Sequence, residues 1–118
     1  MIEKQTSSGV VFRAGGESFF LPANVAMKVL PVPEVARIPG APAELFGVAL
    51  VEGDMIPIIA LGEPPFGAAM LLCNCLGEKL GLVGLEIVSA GRIDRAENAR
   101  PFDVGSVIAR VREGRWAV

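Results

Sequence analysis

Short apolar runs alternate with glycine- and proline-rich breaks along the whole chain, and this pattern predicts many short strands. Val10–Ala14 reads as a strand, and Gly15-Gly16 supplies the positive φ angles that a two-residue hairpin needs. Glu17–Ala23 returns as the second strand, and Asn24–Leu30 is either a short helical turn or a third strand. Pro31, Pro33, Pro39 and Pro42 keep the following stretch extended and stiff. Leu45–Val51 and Met55–Leu61 form a second hairpin around Glu52-Gly53-Asp54.

Gly62–Gly67, with Pro64-Pro65, is the expected linker and subdomain boundary. Beyond it, Ala69–Leu76 is a buried strand by its length and continuous apolar character. Leu80–Ala90 follows, with Gly81 and Gly84 allowing bends or bulges. Gly91–Phe102 reads as a polar loop, and Val107–Val111 with Trp116–Val118 as a last hairpin around Arg112-Glu113-Gly114-Arg115. The expected architecture is all-β: a polar N-terminus over residues 1–9, then one domain over 10–118. About nine strands fall in two groups, as two small barrels or sheets sharing a core.

Composition sharpens this picture. The chain has 118 residues, of which 52% are hydrophobic and 20% charged, a globular profile able to build a core. The net charge of −2 argues against a nucleic-acid footprint, which needs a basic excess on one face. The stretch Ala68–Leu76 is too short and too interrupted to span a bilayer, which takes about 20 apolar residues. The first nine residues lack the apolar core of a signal peptide. The expectation is a cytoplasmic protein with no direct membrane insertion.

Candidate chemistry is sparse. There is no histidine and no tyrosine, so the commonest general base is missing, and the glycines match no phosphate-binding motif. Cys73 and Cys75 lie two apart on one strand face, where thiols act as small apolar groups. Two thiols without further soft ligands do not make a zinc site. Glu52 and Asp54 flank a turn glycine, a place where carboxylates are usually just solvated, and Trp116 reads as cover for the edge of the core. Neither a cofactor nor a metal is expected.

The order of features resembles the CheW family. Val10–Pro22 is similar to its first hairpin, and Ala26-Met27-Lys28-Val29 to its "V-x-E-V" element. Ile38-Pro39-Gly40-Ala41-Pro42 is similar to "I-P-x-x-P", and Gly47–Gly53 to "G-V-x-N-L-R-G". Ile56–Leu61 resembles "V-P-V-I-D-L", and Gly81-Leu82-Val83-Gly84 the start of "G-L-L-V-D". Val107–Arg110 through Trp116–Val118 resembles the family's late hairpin.

This resemblance implies two small SH3-like barrels without an active site. It implies an adaptor that couples chemoreceptor cytoplasmic tips to the histidine kinase CheA, with other CheW-like proteins as further partners. The implied contact residues are Ala26, Lys28, Val35, Gly47, Glu52 and Met70. Lys28 stands where the family pattern has Glu, and Glu52 where it has Arg, so the two charges are exchanged. If they face each other, the ion pair survives with its sign reversed. Leu50 replaces the pattern's Asn, Ala60 its Asp in "V-I-D-L", and Leu85 falls at its last Asp. The family pattern also continues past the late hairpin, so the second barrel is expected to be incomplete and kinase coupling altered or lost. The rival expectations are a small-molecule-binding β-barrel and, less favoured still, an enzyme using Glu52, Asp54 or Lys28.

Overall fold

The structure, a computed structural model, describes residues 7–41, 44–62, 66–75, 77–93 and 99–113. Its strands are β1 (Ser7–Ala14), β2 (Glu17–Pro22), β3 (Ala26–Pro31), β4 (Leu45–Val51), β5 (Asp54–Ala60), β6 (Ala69–Cys75), β7 (Glu78–Val83), β8 (Glu86–Ile93) and β9 (Arg100–Pro101), followed by helix α1 (Val104–Glu113). The chain is thus mostly β and arranged in two sheets, one ordered β8-β1-β2-β9 and the other β3-β6-β7-β5-β4.

The first two expected hairpins are present. Gly15 and Gly16 take φ angles of 60° and 82°, and Glu52 and Gly53 take 51° and 89°. Two positive φ values in a two-residue loop match the right-handed twist of the flanking strands. The segment after Asn24 resolves to strand β3, paired with β6.

Residues 62–67 do not divide the sheets in space. β1 and β2 precede them but share a sheet with β8 and β9, while β6 and β7 follow them but share a sheet with β3, β4 and β5. The expected single stretch Leu80–Ala90 is in fact two strands on different sheets. The chain crosses between them at Gly84, whose φ is +82° and where a Cβ would lie 3.0 Å from the Gly62 nitrogen. A side chain is strained and crowded at such a point, so glycine makes the crossing.

The expected last hairpin is overturned: residues 104–113 are helical, and Trp116–Val118 lie outside the described residues. The physical reason is a cap. The Asp103 carboxylate accepts the Ser106 N–H at 2.9 Å, satisfying one of the orphan donors of a helix start. Val104 and Val107 are then buried one turn apart.

Two apolar clusters organise the core. The first lies between the sheets and includes Phe12, Leu21, Ile59, Leu71, Cys73, Leu80 and Leu82, joined by Val104 and Val107 of α1. Phe12, Phe19 and Phe102 stack around it with ring centroids 5.3–5.6 Å apart. The second lies on the other face of the five-stranded sheet and includes Ala49, Val51, Ile56, Ile58, Met70, Leu72 and Val83. Strand β6 therefore serves both, with Leu71 and Cys73 on one side and Met70 and Leu72 on the other. That double burial explains its unbroken apolar run.

Candidate interaction surface

The five-stranded sheet curls so that its two edge strands, β3 and β4, approach each other. Ala36, just beyond β3, exchanges backbone hydrogen bonds with Val48 of β4 at 2.8 and 3.0 Å. Gly47 permits this approach, because a Cβ there would overlap the Ala36 carbonyl oxygen and press on the Val35 side chain.

Toward the other end of β4, Lys28 Nζ donates to Glu52 Oε2 at 2.8 Å. Lys28 shares a strand face with Leu30, which packs against the second cluster. The lysine thus stands at the margin of that cluster and reaches across to the β4–β5 turn. Glu52 is, among the described residues, the non-glycine residue with positive φ. On the far side of the same turn, Lys79 Nζ donates to Asp54 Oδ2 at 2.9 Å. The hydrogen bond to Asp54 and its charge, with a smaller contribution from Glu52, hold the Lys79 ammonium above the ordinary lysine range. Two opposite-sign pairs therefore bracket the hairpin tip, all four side chains being partly exposed.

Behind the tip, Leu50 and Met55 face each other across the hairpin. Their exposures, 65% and 66%, are the highest among the exposed large apolar side chains described. Val48 and Pro57 form the next facing pair and are half-buried. Met27 and Val29, either side of Lys28, are also exposed. Exposed apolar side chains thus stand on β3 and on the β4–β5 hairpin, the two elements that the Lys28–Glu52 pair joins.

The structure distributes the six expected contact residues unevenly. Lys28 and Glu52 meet on the surface. Val35 is half-buried beside Gly47, and Gly47 is buried where the chain closes over β4. Ala26 is 6% exposed and belongs to the first cluster. Met70 is 0% exposed and belongs to the second, its sulfur lying over Gly81. Its expected role of adding apolar contact area is therefore corrected: it is a core residue. Leu50, Met55, Asp54 and Lys79 were not among the expected contacts. The signal for Leu50 lay in the resemblance alone, where it stands in place of the pattern's Asn, because the strand Leu45–Val51 carries no polar side chain to mark its outer face.

The alternative chemistries find their places too. Cys73 is buried in the first cluster, and Cys75 is half-buried against it. Burial, and secondarily the neighbouring Cys75, push the Cys73 thiol from 9.0 up to about 12, so it is an inert apolar group at neutral pH. Glu52 and Asp54 each pair with a lysine and do not form a carboxylate dyad. Among the described residues no helix is long and apolar enough to cross a membrane, and no three potential metal ligands cluster.

Two sheets around a shared core, with charge pairs and apolar side chains at the tip of one hairpin, define a small, mostly β domain. Comparison with known proteins sharpens the class to a family. The CheW-like domain model matches residues 8–66, half of the chain, and the chain belongs to the CheW-like domain family. It is similar to protein PilI of Pseudomonas aeruginosa, at 36% identity over 76 residues; the match covers 64% of this chain and 36% of PilI. The chain thus spans little more than a third of the length of that curated relative. Its fold is similar to that of the scaffolding protein TtCheW from Thermoanaerobacter tengcongensis, with a TM-score of 0.59, 22% identity, and coverage of 73% of this chain and 66% of that one. CheW-like scaffold proteins are non-catalytic adaptors.

Proposed function

We propose that this chain is a non-catalytic adaptor of a bacterial chemosensory complex. It holds the cytoplasmic tip of a chemoreceptor and links it to a CheA-type histidine kinase, with altered receptor specificity. Other CheW-like proteins are further neighbours in such an assembly, and the site of action is the cytoplasm.

One observation carries this reading. Lys28 and Glu52 occupy positions whose charges are exchanged relative to the family pattern, and they still meet at 2.8 Å. Two independent surface charges have no reason to change sign together. A pair that is kept while its polarity reverses fits a surface read by a partner, because complementary charge sets partner choice more than raw affinity.

Co-purification tests the reading. The chain is mixed separately with the cytoplasmic tip of the chemoreceptor encoded beside it and with the regulatory domain of the cognate CheA-type kinase. Retention by the receptor and by the kinase is the expected result. Retention by the receptor alone assigns the chain to a receptor accessory without kinase coupling, and retention by neither overturns the adaptor reading. Against the rival ligand-binding barrel, one face of the five-stranded sheet is filled by its own side chains, Ala49, Val51, Ile56, Ile58, Met70, Leu72 and Val83.

A further inference from the structure

No further inference is drawn: the strongest candidate, the cavity at the seam between the two sheets where β9 and the start of α1 meet the end of β5, joins an apolar floor of Phe19, Ile59 and Phe102 to a rim carrying Glu44, Arg100 and Asp103, a mixed lining that selects no one class of ligand, and nothing in the structure shows what fills it.

Discussion

Gly47 and Ala36 touch backbone to backbone: a methyl group on Gly47 would occupy the space of the Ala36 carbonyl oxygen. Because Ala36 is bridged to Val48, this contact governs whether the edge strand β4 is covered at its middle. Gly47→Ala is expected to destabilise the protein by about 2 kcal/mol, the usual size of an overpacking defect. Urea denaturation measures the loss, and faster amide exchange at Ala36 and Val48 localises it. Any loss of partner binding in such a variant would follow from the displaced edge and not from a missing contact.

The Lys28–Glu52 pair is exposed, so its coupling energy in a double-mutant cycle is expected at about 0.2–1 kcal/mol, falling as salt rises. Lys28→Glu alone sets two carboxylates together and destabilises slightly; adding Glu52→Lys restores the pair. Holding Glu52 in the left-handed region costs about 1–2 kcal/mol relative to a right-handed backbone, at least as much as the ion pair returns. Glu52→Asn, which tolerates that backbone, is therefore expected to leave thermal stability unchanged or slightly higher while removing the charge. A marked drop in melting temperature would show that the glutamate is kept for the fold.

Cys73 makes stability depend on alkaline pH. Its folded-state value lies above its ordinary one, so the thiol's contribution is complete below the unfolded value of 9.0 and is lost as pH climbs from there toward about 12. Between pH 7.5 and pH 10 the wild type is expected to lose about 1 kcal/mol through this group. Cys73→Ala is less stable at both pH values, because it leaves a small cavity, but its loss between them is smaller. Parallel denaturation curves at the two pH values give the comparison, and an identical pH slope in the variant would refute it.

Asp103 caps α1 through Ser106. Asp103→Ala is expected to cost about 1 kcal/mol, whereas Asp103→Asn, which keeps an accepting oxygen, costs less. Far-ultraviolet dichroism with thermal melting separates the two variants.

The hairpins were legible in the sequence because Gly15-Gly16 and Glu52-Gly53 carry their own backbone requirement. The exchanged charges of Lys28 and Glu52 were legible against the family pattern, but whether the two meet was left open until the structure placed them 2.8 Å apart. Other features were hidden for physical reasons. Met70 sits in a strand buried on both faces, so the run Ala69–Cys75 shows no alternation to distinguish core from surface. Helix α1 is rich in valine, isoleucine and arginine, and Arg112-Glu113-Gly114-Arg115 imitates a hairpin turn, so a β reading prevailed over the Asp103–Ser106 cap. The division of residues 80–90 between two sheets depends on the Gly84 crossing, and a glycine inside an apolar run predicts a bend without saying where the chain goes next.

Each sheet takes strands from both sides of residues 62–67. A polypeptide cut there would yield two pieces, neither holding a complete sheet. The first would expose β5 where β7 belongs, and β1 where β8 belongs. Each piece supplies the template the other lacks, so two separately expressed fragments would refold only in each other's presence. The interleaved topology makes this small scaffold a natural split reporter, its reassembly readable by any label divided between the halves.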